Sequence, residues 1–216
     1  MQGTIKVTFG KYFYEKFSKP VREKKDEIDI IFDVIDILLL GDSDPIIRGT
    51  IVINIDKMSR LFCFLDNKYY SIVFLFNIEN MDENDNIHIY DGILDIDINS
   101  RIVALLKRIV SDIELESDTI EEIFEKVFFD VEDNEYTEKE IKDCFQLLLR
   151  IFSTDLGYIR YDYDEKHENE KIHPLHHLDI NYSSKGTYKI GLKKALKDED
   201  FIDMLDLRTE CKYLNY

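Results

Sequence analysis

The spacing of apolar residues changes twice along this chain, and that change constrains the fold more than any other feature. Apolar residues alternate with period two in Ile5, Val7 and Phe9 and in several later runs of the first hundred residues, the mark of half-buried strands. From residue 100 the spacing becomes helical. Ile102, Leu105, Leu106, Ile109 and Ile113 form one stripe, and Ile120, Ile123, Phe124, Val127 and Phe128 a second. Ile141, Phe145, Leu148, Leu149 and Phe152 form a third. Ser100 and Asp118 stand where the first two helices begin. Thr137 and Glu140 make a capping box for the third, in which hydroxyl and carboxylate each satisfy an amide of the first turn. Period two returns in Tyr158–Tyr163, Leu175–Tyr182 and Thr187–Leu192. Asp198–Leu207 then reads as a closing helix with Phe201, Ile202 and Leu205 on its buried side.

The pattern predicts an α+β chain with a mostly antiparallel N-terminal sheet, central helices, and C-terminal strands followed by a helix. The expected regions are a mostly β part over 1–99, a helical part over 100–155, and a hairpin with helix over 156–216, within one compact domain. The weakest link is the acidic run Val131–Tyr136. Two hairpins are expected. One joins Leu61–Leu65 to Tyr70–Ile78 around Asp66-Asn67-Lys68, and the other joins Ile87–Tyr90 to Ile93–Ile98 through Asp91-Gly92. Gly41-Asp-Ser-Asp-Pro45 is a loop before a strand over Ile46–Ile55, and Asp82–Asn86 and Ser183–Gly186 read as turns. Ile28–Leu40 is ambiguous, because Ile28, Ile31, Ile35 and Leu38 have helical spacing while its β-branched content favours a strand.

Composition sets the chemistry that such a fold can carry. With 44% hydrophobic residues in 216 the chain can bury a core, and its net charge of −17 argues against direct binding to duplex DNA. Two basic groups, Arg22-Lys24-Lys25 and Lys193-Lys194-Lys197, read as solvated faces. Cys63, Cys144 and Cys211 are far apart and have no C-x-x-C spacing, which excludes a zinc knuckle and suits a reducing cytoplasm. The opening Met-Gln-Gly-Thr-Ile-Lys-Val-Thr-Phe reads as a strand rather than a signal peptide. The longest apolar run is broken by Asp29, Asp33 and Asp36, so no membrane contact is expected. Frequent Ile, Asn, Asp and Lys point to the AT-rich codons of a low-GC bacterium or its phage. P-loop, dinucleotide-binding and nucleophile-elbow signatures are absent, and Asp82–Asn86 fails as a calcium loop because Ile87 and Ile93 stand where Gly and Glu are required.

Four of the five histidines, His167, His173, His176 and His177, fall within eleven residues and among acidic neighbours. If Tyr158–Tyr163 pairs with Leu175–Tyr182, Arg160, Asp162, His177 and Asp179 share one polar sheet face. Imidazole with carboxylate suits general acid–base chemistry, with Arg160, Asp162, His173 and His177 as catalytic candidates. It also suits a divalent metal held by His173, His177 and Asp179. The competing reading is a solvated sheet face with His173 fixing a turn beside Pro174, and no cofactor at all.

The stretch Ile159-Arg-Tyr-Asp-Tyr-Asp164 followed by His173-Pro-Leu-His-His-Leu-Asp-Ile-Asn181 resembles a bacterial family without assigned activity. Its members carry Ile-Arg, an aromatic, Asp, an aromatic and an acidic residue, then His-Pro-x-x-His-Leu-x-Ile. Arg160, Asp162, His173, Pro174, His177 and Leu178 are the matching positions. The resemblance covers the last quarter of the chain; a Cys-x-x-Pro-Cys-Pro-like segment usual in that family has no counterpart here. Members are associated with mobile elements and antiviral defence. The resemblance therefore implies an accessory subunit acting by protein–protein contact, with a protein partner or a homo-oligomer. The alternatives are a metal-dependent nuclease or phosphodiesterase built on the His/Asp cluster, and an acidic phage-encoded inhibitor that mimics nucleic acid.

Overall fold

The computed structural model describes residues 3–56, 58–80, 87–114, 117–129, 136–182 and 188–213. In chain order the elements are β1 (Thr4–Phe9), α1 (Lys11–Phe17), α2 (Lys24–Leu40), β2 (Gly49–Asn54), β3 (Arg60–Phe64), β4 (Lys68–Val73), β5 (Asn77–Asn80) and β6 (Ile87–Asp91). They continue with β7 (Ile96–Asp97), α3 (Ser100–Asp112), α4 (Ile120–Phe129), α5 (Glu138–Ser153), β8 (Ile159–Tyr163), β9 (His176–Ile180), β10 (Tyr188–Gly191) and α6 (Asp198–Leu205). The α+β class and its antiparallel pairing are as the periodicity indicates. The expected turns at Asp82–Asn86 and Ser183–Gly186, and residues 131–135 of the acidic link, lie outside the described residues. Among the described residues no helix is long and apolar enough to cross a membrane.

Two compact units divide the chain, and they are not consecutive in sequence. The first comprises Met1–Glu23, Asp42–Phe74 and Leu156–Tyr216; the second comprises Lys24–Gly41 and Leu75–Asp155. The first unit is a seven-stranded antiparallel sheet in the order β1-β2-β3-β4-β8-β9-β10. One face buries Val52, Phe62, Phe64, Tyr161 and Leu178 against Phe201 of α6. The opposite face is apolar toward β1, where Phe9 meets Phe17 of α1 edge-on at 5.0 Å. Toward β10 the same face becomes charged. The N-terminus of α1 is capped from a distant loop, because Asp42 accepts from Gly10 N (2.7 Å) and Asp44 from Lys11 N (2.8 Å). A Cβ on Gly10 would fall 2.2 Å from that of Asp44, so glycine is required there. At its C-terminus, Lys68 donates to the carbonyls of Phe17, Ser18 and Lys19, placing a cation where the helix dipole favours one.

The second unit holds α2 to α5 and a small sheet, β5-β6-β7. The ambiguous run over Ile28–Leu40 is a helix, and its length decides the matter, since strands rarely exceed ten residues. Asp33 and Asp36 lie on one side of α2 and both bind Lys107 of α3, the first at 2.7 Å. Lys24 and Lys25 are not a solvated patch. Lys24 donates to the Phe152 and Thr154 carbonyls at the end of α5, and Lys25 to the Ser111 carbonyl near the end of α3. The Tyr70–Ile78 run is two strands in two sheets, broken after Val73. Helix α3 is capped by Asn99 rather than Ser100, and the capping box of α5 is present as read. The buried stripe of α5 is Ile141, Cys144, Leu147, Leu148 and Ile151, leaving Phe145, Leu149 and Phe152 half-buried. On α4 Ile123 and Val127 are buried, whereas Ile120 and Phe124 are exposed. Asp91, expected to be a turn residue, is instead a fully buried anchor. It binds Arg150 (2.6 Å) and accepts the amides of Ile93 and Leu94.

Candidate metal and acid–base site

Strands β8 and β9 pair with Arg160 opposite Asp179 and Asp162 opposite His177. On either side β4 sets Lys68 opposite Asp162, and β10 sets Lys189 opposite Asp179. Directly opposed residues point to the same face, so these six side chains make one charged band on the sheet. The other face of the same strands is apolar: Tyr161 and Leu178 join the core. His176 stacks between Tyr161 and Tyr163, with its Nδ1 2.9 Å from the Tyr161 hydroxyl. His176 is therefore separated from the candidate site by the thickness of the sheet.

Within the band, ligand atoms of Asp162, His177 and Asp179 all lie within 4.8 Å of one another, close enough to hold one metal ion. His177 and Asp179 are buried, at 0% and 1% exposure. The His177 Nδ1 lies 2.8 Å from the Pro174 carbonyl, which can only accept, so Nδ1 carries the proton and Nε2 carries the lone pair. Metal-bound imidazoles show the same arrangement, in which an outer partner fixes the tautomer. Burial lowers the His177 pKa; Lys189 lowers it further, against opposing effects of the Pro174 contact, Asp179 and Asp162. The ring is therefore neutral at pH 7, the state that a metal ligand or a general base requires.

Two cations already balance the two carboxylates. Arg160 places Nε 2.7 Å from Asp162 and Nη2 against Asp179. Lys189 stands 2.7 Å from Asp179 and 3.0 Å from His177 Nε2. Burial opposes the Arg160 charge, but Tyr158, Asp162 and Asp179 together outweigh it and raise its pKa. Burial, reinforced by Arg160, brings Lys68 down to about 8. The Lys189 ammonium thus occupies the space between an imidazole lone pair and a carboxylate, which is where a cation is most stabilised. Lys189 lies on an edge strand and its side chain is 26% exposed, so its flexible stem can turn out to solvent and release that space.

Of the sequence candidates, Arg160, Asp162, His177 and Asp179 come together, and His173 does not join their ligand atoms. The His173 Nε2 faces Asp164 at 3.3 Å, and its ring meets that of His177 edge-on with centroids 4.6 Å apart. Asp162 takes the place that the sequence reading gave to His173 in the metal set. Exposed His167 also binds Asp164, at 3.0 Å. Lys189 and Gly191 were missed. A Cβ on Gly191 would come within 2.8 Å of the Pro174 ring, so this glycine seats the residue that orients His177. Alternation along β10 carries the signal for Lys189, but only once β10 is known to pair with β9. The thiols of Cys63 and Cys144 are pushed up by burial to about 12 and are poor nucleophiles.

The chain matches no family model, no curated protein and no solved structure.

Proposed function

We propose that the chain is a divalent-cation-dependent hydrolase of phosphate esters whose ion is held by Asp162, His177 and Asp179. The observation that carries this reading is the convergence of those three ligand atoms within 4.8 Å, with the His177 tautomer set by Pro174. One nitrogen and two carboxylate oxygens suit Mn or Zn better than Ca. An ion held there would supply charge at the phosphoryl oxygen and acidify a water molecule. Arg160, held rigidly between two carboxylates, adds positive charge beside the same point. Lys189 keeps the site neutral until the ion displaces it. The free thiols, two of them buried, fit a reducing cytoplasm.

The test is a Mn and Zn titration of chelator-treated protein, followed by calorimetry and thermal unfolding, on wild type, His177→Ala and Lys189→Met. Stabilisation of about 2.7 kcal/mol is expected at a hundredfold excess over Kd. It should vanish in His177→Ala and appear at lower metal concentration in Lys189→Met. Metal-dependent cleavage of p-nitrophenyl phosphate or its diester should follow the same order. No stabilisation of either wild type or Lys189→Met would make the band a self-contained ion cluster. The reading as an interaction subunit of a defence or mobile-element system would then take its place.

A further inference from the structure

The seven-stranded sheet of the first unit ends in two edges, β1 and β10. On β10 the alternation of hydrogen bonds fixes which backbone groups face outward. Leu192 donates its amide to the His176 carbonyl, and the register continues with Ile190 opposite Leu178 and Tyr188 opposite Ile180. Those three residues bond to β9, so the N–H and C=O groups of Lys189 and Gly191 point away from the sheet. Among the described residues these four groups have no hydrogen-bond partner, and Tyr188, Lys189 and Gly191 are exposed.

Native sheets blunt such edges with charged side chains, lysine above all. Exposed Lys6 does this in the middle of β1. On β10 the lysine is instead held on the sheet face by Asp179, at 2.7 Å. The side chains of Tyr188, Ile190 and Leu192 share the opposite face. Ile190 and Leu192 pack against the cluster around Phe201, whereas Tyr188 is 80% exposed. The apolar face of the sheet thus runs out to its edge and ends on an uncovered aromatic ring.

We propose that β10 pairs with β10 of a second copy of this chain, antiparallel and about a two-fold axis, joining two sheets into one. Outward groups must meet outward groups, which leaves three symmetric registers. Centring on Lys189 sets it against the partner's Lys189, and centring on Gly191 sets Lys189 against the partner's Lys193; both oppose like charges. Centring on Ile190 sets Lys189 against the partner's Gly191, Ile190 against the partner's Ile190, and Tyr188 against the partner's Leu192. That register alone keeps lysines from facing each other, and it covers Tyr188 with an apolar side chain. The two Lys189 side chains stand on the diagonal, roughly 7–8 Å apart, each neutralised by its own Asp179. Helix α6 does not obstruct the junction, since Phe201 touches Phe62, Phe64 and Tyr69 on β3 and β4. The pairing closes on itself, whereas β1 against β10 would leave a free edge at each end of every pair. So short a junction is smaller than a standard interface, and a Kd on the order of 10 μM is expected. The inference goes beyond the proposed hydrolysis and holds with or without an ion.

Two measurements test it. Sedimentation of the wild type should show a monomer–dimer equilibrium, and Tyr188→Lys, a change at an exposed position, should raise the dissociation constant about tenfold. Disulfide cross-linking then tests the register. Residues facing each other at a non-hydrogen-bonded site have Cα atoms about 4.5 Å apart, within reach of a disulfide. Ile190 meets its own copy at such a site, whereas Tyr188 lies roughly 14 Å from its copy along the strands. Ile190→Cys and Tyr188→Cys are each made with Cys211→Ser, because Cys211 is the exposed thiol while Cys63 and Cys144 are buried. With oxidised glutathione as the oxidant, Ile190→Cys should form a covalent dimer and Tyr188→Cys should not, although Tyr188 is the more exposed position. A wild type that stays monomeric at about ten times the expected Kd, a dimer indifferent to Tyr188→Lys, or cross-linking of Tyr188→Cys as fast as that of Ile190→Cys would overturn the proposal.

Discussion

Replacing Asp179 by Asn keeps the shape of the side chain and removes the charge at the centre of the band. Asp179 is 1% exposed and holds both Arg160 and Lys189. Breaking a buried ion pair from one side costs about 3–5 kcal/mol, mostly because the partner is left as an uncompensated buried charge. Here two partners lose the same carboxylate, but neither is stranded completely. Arg160 keeps Asp162 at 2.7 Å, and Lys189 can turn toward solvent from the edge of the sheet. The expected loss is therefore at the lower end, about 3 kcal/mol, or about 6–12 °C in Tm for a chain of this size. Urea unfolding followed by far-ultraviolet circular dichroism measures it. Adding Lys189→Met to Asp179→Asn removes the ammonium that the first change left unpaired, so the double variant should recover about 1–2 kcal/mol relative to additivity. A loss below about 1 kcal/mol, or strict additivity, would refute the reasoning. The charges would then be solvated, and the three ligands of the proposed ion would not be preorganised.

Two further outcomes follow from the same physics. Arg150→Ala should destabilise the second unit by about 3 kcal/mol, because Asp91 would keep only the Ile93 and Leu94 amides for a fully buried charge; a neutral result in chemical denaturation would contradict this. The depressed pKa of His177 means that the unfolded chain takes up a proton first, near pH 6.5. Its contribution to stability is thus complete above that pH and falls as the pH drops toward the lower folded value. The Tm of wild type minus that of His177→Gln, followed from pH 8 to pH 5, should decrease, and an increase would mean that His177 is charged in the folded state.

How much of this was legible depended on whether a feature is local. The capping box of Thr137 and Glu140 and the alternation in β8 and β9 could be read directly, since each involves neighbours in sequence. The shared polar face of Arg160, Asp162, His177 and Asp179 also followed, once pairing of two adjacent strands was assumed. Helix α2 was harder, because β-branched residues favour strands on average while burial all round supports a helix of this length. The roles of Lys24 and Lys25 were hidden, because the carbonyls they satisfy lie at the ends of helices far along the chain. Asp91 looked like a turn residue; it is the last residue of β6, and Arg150, distant in sequence, makes it a buried anchor.

The sequence by itself determined the period of each segment, and with it which side chains share a face of a strand or a helix. Only the tertiary structure decided which strands are neighbours. Pairing of β4 with β8 and of β9 with β10 brings Lys68 and Lys189 to opposite ends of one band, while His173, outside the strands, faces Asp164 instead of joining Asp179. The reason is physical. Side-chain alternation is a property of the local backbone, whereas neighbour choice and register are set by the burial of whole faces, summed over residues distant in the chain.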